Sequence, residues 1–299
     1  LKRALGIGKY NREKDLEYKM AKCADAWVAP SQSMAQIIAD RWSIPLQQIA
    51  VLPNPYQPPD AFTNIPIATQ TATVTYLGRL EARKGVHLLA KAIPAVLGKH
   101  PQTIFRFIGK TNVGPTGKGT MLDYLKKELQ PFEQNIEFID NVPPAEVPQW
   151  LAQTDICVFN SLWESFGYVC LEAMAAARGI VASQNGGMYE MLHNVKGGVL
   201  VDPLDITARY SDFLTLGVSF IPNAEPLPRR DLKGGVLVDP LDITALQHAI
   251  SHLLEHPKER AEMGGRSRQK VVEYYADEVP RQHLQFYRQV IAQAEKREA

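Results

Sequence analysis

The chain has 299 residues, 45% of them hydrophobic, enough for one large or two ordinary packed domains. Lysine and arginine total 33 against 32 for aspartate and glutamate, a net charge of +1, so no bulk field draws polyanions. Nucleic acid is thereby excluded as a general partner, and any anion site has to be local.

The three cysteines, Cys23, Cys157 and Cys170, lie in apolar stretches without metal-like spacing. An odd count argues against a disulfide framework, so all three read as buried thiols in a reducing compartment. No stretch approaches the roughly 20 apolar residues of a spanning helix, and no apolar signal core follows the first charges. The expected location is cytoplasmic, and peripheral attachment at the inner face of a membrane is compatible with it. Leu1 stands where an initiator methionine would, and no first βα unit precedes it. The sequence is therefore expected to begin partway through a larger protein.

In chain order, residues 10–23 place Leu16, Met20 and Cys23 at helical spacing, and Ala26 to Ala29 read as a short buried strand closed by Pro30. Ser31 or Ser33 can cap a helix reaching about Trp42. A second strand is predicted from Ile49 to Leu52. From Gln57 to Thr73 the composition turns to Pro, Thr, Gln and Ala without periodicity, which marks an interdomain linker.

Beyond it, apolar runs at Val74–Leu77, Ile104–Ile108, Ile136–Ile139, Ile156–Phe159 and Ile180–Ala182 alternate with helical patterns over 86–97, 119–130, 145–153, 167–177 and 188–193. That alternation predicts βαβ units and a parallel sheet, with ligands at the carboxyl ends of its strands. Helices over 245–255, 258–275 and 279–296 close the chain. The expected division is 1–68, 69–276 and a final helix at 277–299.

Residues 196–208 read KGGVLVDPLDITA, and residues 233–245 repeat all thirteen. Solenoid repeats diverge and need about three copies, so a recent duplication within 196–245 explains the match better. One Gly-Val-Leu-Val copy is expected to join the sheet, while 209–232 loops out.

Three constellations fall at strand ends. Gly78-Arg79-Leu80-Glu81-Ala82-Arg83-Lys84-Gly85 sits between a strand and a helix, and its Arg79 and Lys84 suit a bidentate and a point contact to phosphate. Ordinary surface cations on a βα loop would look the same. Glu164 and Glu172 flank Ser165-Phe166-Gly167-Tyr168 at a helix start, where backbone amides and a partial positive charge favour a diphosphate. Glu172 can accept hydrogen bonds from ribose hydroxyls. Its bland alternative is a capping carboxylate plus an unrelated helical glutamate. Gln184-Asn185-Gly186-Gly187 ends another strand, and paired glycines permit close backbone approach. Judged alone, a plain turn explains it equally well.

In this order the three motifs resemble the glycosyltransferase family 4 group (group 1), over about residues 24–299. The resemblance implies an α/β GT-B fold, in which two Rossmann-like domains face a cleft. Here the second domain would be nearly complete, and only the end of the first, acceptor-side domain would be present. It also implies metal-free, retaining transfer of a hexosyl group from a UDP- or GDP-sugar to a glycan or lipid-linked acceptor, with no cofactor. By the same resemblance Arg79 and Lys84 would hold the diphosphate, Glu172 the ribose and Glu164 the donor sugar. Gly78, Phe166, Gly167, Tyr168, Gly186 and Gly187 would line the donor site. Two departures stand out: Asn160, where the family commonly has proline, and Asn54-Pro55, where glycine is frequent. A non-catalytic nucleotide-sugar-binding fragment and a nucleotide-sugar isomerase remain rival functions.

Two further patterns read as decoys. Gly114 to Thr120 suggests a P-loop, but Asn112 and Gly119 break the phosphate-binding pattern. His248, His252 and His256 share a helix face, yet no carboxylate or cysteine obviously completes a metal site, so they read as solvated.

Overall fold

The computed structural model describes residues 11–183, 186–193, 199–201 and 243–298. They fall into two compact units that divide after Gln57 and again after Val272.

The smaller unit opens with α1 (Leu16–Ala21), β1 (Trp27–Ala29), α2 (Gln32–Trp42) and β2 (Ile49–Val51), and β1 pairs β2 in parallel. Ser31 starts α2, its side chain accepting the Met34 amide at 3.2 Å. Ser43 ends it in the left-handed region at φ 53°. Ala29, Ala35, Ala39 and Ile49 form a small core against Trp27, Met34 and Ile38. The unit also takes in the last helix, Val279–Glu298: His283 Nε2 lies 3.0 Å from the Pro53 carbonyl, and the Tyr56 amide donates to Tyr274 at 2.7 Å. Cys23 corrects the expectation of three buried thiols, for it is exposed. Helix α1 stops at Ala21, so Cys23 falls in the following turn, and the buried residue of α1 is Tyr18; Leu16 and Met20 face solvent.

The larger unit runs β3 (Thr73–Leu77), α3 (Val86–Lys99), β4 (Ile104–Ile108), α4 (Met121–Glu128), β5 (Ile136–Ile139), α5 (Val147–Ala152), β6 (Ile156–Phe159), α6 (Tyr168–Ala175), β7 (Gly179–Ser183), α7 (Gly186–His193) and β8 (Val199–Val201). Helices α8 (Ile243–Glu255) and α9 (Pro257–Val271) complete it. All strand pairs are parallel, in the order β5-β4-β3-β6-β7-β8. Every residue of β3, β6 and β7 is buried, which explains the mostly apolar character of these strands. The chain starts this sheet in its middle and builds outward in both directions, so the winding reverses between β3 and β6. A doubly wound sheet leaves its ligand crevice at that reversal, beyond the strands' carboxyl ends. β8 comes from the first copy of the repeat; 202–242, including 209–232 and most of the second copy, lie outside the described residues.

The Pro- and Thr-rich segment from Pro58 to Ala72 is bound to this unit by three arginines. Arg178, 1% exposed, donates to the Thr154 carbonyl at 2.8 Å, to Thr69 Oγ1 at 2.9 Å and to the Pro66 carbonyl. Arg260 reaches the Thr69 carbonyl at 2.7 Å, and Arg268 the Ile65 carbonyl at 2.8 Å. Phe62 and Ile65 of this segment pack into the core, and the rest of it is held through its backbone acceptors. Asp155, 2% exposed, supplies the negative charge: it accepts the Thr71 and Ala72 amides at 3.0 and 2.8 Å and lies 3.4 Å from Arg260. Removing one partner of a buried ion pair leaves the other charged and desolvated. We expect Asp155→Ala to lower unfolding stability by about 3–5 kcal/mol in urea titration. An unchanged midpoint would show that the arginines do not depend on it.

Candidate active site

The loops that follow β3 and β6 lie side by side at the winding reversal. Gly78 ends β3 at φ 142°, and its amide donates to the Ile108 carbonyl at 2.9 Å. A single 3-10 turn, Ala82–Lys84, then carries the chain into α3 through Gly85 at φ 69°. Gly85 can be no other residue without a rearrangement, because a Cβ there would sit 2.0 Å from the Asn160 carbonyl oxygen.

Three hydrogen bonds lace the loops together. Asn160 Nδ2 donates to the Gly85 carbonyl at 2.8 Å, the Leu162 amide to the Arg83 carbonyl at 2.9 Å, and Arg83 Nη1 to the Trp163 carbonyl at 3.1 Å. Asn160 is fully buried, and its Oδ1 has no partner among the described residues. A proline at this position could not donate to Gly85, so the departure from the family pattern carries a tie between the loops. Sequence spacing did not reveal this role, or that of Arg83.

The lacing sets Lys84 Nζ against Glu164 Oε2 in an ion pair, with both side chains largely buried. Glu81 gathers the other charges: its carboxylate accepts from Arg83 at 2.8 Å and Asn112 at 2.8 Å and lies 3.3 Å from Arg79. The Arg79 side chain is 57% exposed, so water screens this last contact and the guanidinium can swing to a ligand at little cost. Lys84 carries three N–H donors. It can hold Glu164 and still point a donor at an incoming anion.

Phe166 is buried, its ring edge-on to the exposed ring of Tyr168 at 5.3 Å, and Gly167 begins α6 at φ 105°. The glycine pair after β7 has a role that its spacing did not show. A Cβ on Gly186 would lie 1.9 Å from the Glu164 carbonyl oxygen, and one on Gly187 2.6 Å from that of Phe166. The Gly187 amide donates to Glu164 at 3.0 Å. The close approach these glycines permit is first of all that of one loop to another. Gln184 and Asn185 lie outside the described residues.

The carboxylate of Glu172, in the second turn of α6, has no hydrogen bond or ion pair among the described residues, and burial pushes it up to about 7. Arg79, Lys84, Glu164, Phe166, Gly167, Gly186 and Gly187 are thus linked through one set of loops, and Glu172 lies on the helix they lead into. The glycine-rich decoy at 114–120 is a turn whose Thr120 caps α4 with Asp123.

These groups can do definite chemistry. Cations next to a helix N-terminus complement a diphosphate, and a carboxylate that ionises near neutrality is ready to accept sugar hydroxyls. The raised Glu172 value also links stability to pH. The folded carboxyl keeps a proton that the unfolded chain, titrating at 4.5, has already lost. Stability is therefore full below that value, falls as pH rises to about 7, and is level above it. We expect this decline in melting temperature to be absent from Glu172→Gln across the same range. Parallel curves for the two proteins would contradict the burial of that carboxyl.

A family model described as "Glycosyl transferases group 1" matches residues 59–212. Spore coat protein SA of Bacillus subtilis is 29% identical over 140 residues, which cover 46% of this chain and 37% of that protein. Glycogen synthase of Mycobacterium tuberculosis is 30% identical over 198 residues, covering 64% and 45%. The chain thus spans under half the length of these curated relatives. Anabaena HepE, solved with UDP and glucose, superposes with a TM-score of 0.62 at 17% identity, over 94% of this chain and 68% of that one. The expected α/β fold of GT-B type is the fold observed.

Proposed function

Because the chain belongs to the group 1 glycosyl transferases, we propose that its larger unit is the donor half of a retaining hexosyltransferase, and that it binds a UDP- or GDP-sugar. The carrying observation is the paired, laced loops that set Lys84 and Arg79 at the winding reversal beside the start of α6. HepE, which shares the fold, was solved with UDP and glucose, and this makes UDP the first nucleotide to try.

In this scheme Arg79 and Lys84 hold the diphosphate, and Glu172 accepts the ribose hydroxyls in its ionised form. Glu164, kept in place by Lys84 and the Gly187 amide, faces the donor hexose. Phe166, Gly167 and Tyr168 line the phosphate turn. The bond between the anomeric carbon and the diphosphate oxygen breaks while the acceptor hydroxyl oxygen bonds to the same carbon from the same face. The acceptor proton passes to the departing diphosphate. Lys84 and the helix-terminal amides, fixed in advance at the leaving group, and Arg79 swinging onto it lower the barrier as its negative charge grows. Glu164 is engaged with Lys84, which favours a same-face route over a carboxylate nucleophile. Neither a metal ion nor a cofactor has a step here. The acceptor is a glycan or a lipid-linked sugar. Among the described residues no helix is long and apolar enough to cross a membrane.

The test is calorimetric titration with UDP and GDP, followed by thermal melting. One of them is expected to bind and, at 100 times its dissociation constant, to stabilise by about 2.7 kcal/mol. Glu172→Gln and Lys84→Met should each weaken binding by about 1–3 kcal/mol. Binding that both variants leave unchanged, or none in a chain that melts cooperatively, would overturn the assignment. Binding without transfer to any acceptor would identify the non-catalytic module instead.

A further inference from the structure

Away from the donor loops, the junction of α8 and α9 brings together three side chains that spacing along one helix face did not connect. His252 lies in the last turn of α8, His256 just beyond its end, and Glu259 in the first turn of α9, which Pro257 begins. The new helix turns the Glu259 carboxylate back onto the histidines. His252 Nε2 is 3.0 Å from Glu259 Oε2, and one ligand atom from each of the three residues lies within 4.8 Å of the others. The two rings stack at 4.2 Å between centroids. His248, the third histidine of the sequence pattern, is exposed and outside this group.

We propose that His252, His256 and Glu259 bind a divalent transition metal of the zinc type, which ties the end of α8 to the start of α9. The donor set fits: two imidazoles and one carboxylate are a ligand set that zinc accepts with one position left for water. The second contact of His256 supports it. His256 Nδ1 lies 2.8 Å from the His252 carbonyl, so a proton on Nδ1 donated to that oxygen leaves the Nε2 lone pair outward. On binding, the metal takes the place of the proton between His252 Nε2 and Glu259. It forms bonds to both and to His256 Nε2, while that proton shifts to His252 Nδ1, so that the Nε2 lone pair is free for the metal and the imidazole stays neutral. The length of α3 separates this site from the donor loops: it adjoins the far end of α3, where His100 lies 3.3 Å from Glu255, whereas the phosphate-type cations precede the start of α3. Its role is therefore structural, apart from group transfer.

The probe is zinc ion alone, titrated calorimetrically into chelator-stripped protein and followed by thermal melting. The expected result is one saturable site per chain and a higher melting temperature. Both effects should be lost in His252→Ala and in Glu259→Gln and kept in His248→Ala. UDP and GDP titrations of the stripped protein should match those of the zinc-loaded protein, which separates this site from the donor site. No saturable binding by a chain that melts cooperatively, or binding that His252→Ala and Glu259→Gln leave intact, would overturn the proposal.

Discussion

The backbones of Gly85 and Asn160 approach so closely that no side chain fits between them, and the site depends on that contact. β3 and β6 are neighbours in the sheet, but the sheet alone fixes only where their ends emerge. What their loops do beyond those ends is set by the Asn160–Gly85 hydrogen bond, the Leu162–Arg83 bond and the Lys84–Glu164 pair. The Gly186–Gly187 turn then closes on Glu164 from the β7 side. The Lys84–Glu164 pair, which would wander on free loops, is held in one place before any ligand arrives, so binding need order only the exposed Arg79. This is the physical content of preorganisation at such a site.

Polar ties also hold another part of the unit. The segment from Pro58 to Ala72 packs through Phe62 and Ile65, and its carbonyls at Pro66, Thr69 and Ile65 are taken by Arg178, Arg260 and Arg268. Guanidinium groups suit that task because each offers several donors in a fixed plane. Their burial is balanced by Asp155 and by the acceptors they satisfy, since uncompensated buried cations would be strongly destabilising.

The strands and helices were legible because each carries a plain physical signature. Runs such as Ile156–Phe159 are buried on both faces and so are apolar throughout, and Ser31 announces α2 by the amide it accepts. The motif residues were legible as a set because small, acidic and basic residues recur at strand ends. Their partners were not. Spacing suggested that Gly186 and Gly187 make room for a ligand, whereas their Cβ positions are filled by the Glu164 and Phe166 carbonyls. Asn160 read as a departure from the family pattern, yet its amide joins two loops 75 residues apart. Glu259 is three residues from His256 but on another helix, beyond what a single-helix pattern can show. Cys23 misled because an apolar stretch was taken for a buried face, while the helix stops two residues earlier.

The measurement that bears most directly on the laced-loop site is amide hydrogen exchange with and without UDP, and then GDP. If the loops after β3 and β6 form one donor-binding element, residues 79–85 and 160–168 should gain protection together in the presence of the same nucleotide. Protection of only one of the two segments, or of neither while a nucleotide binds elsewhere, would contradict it.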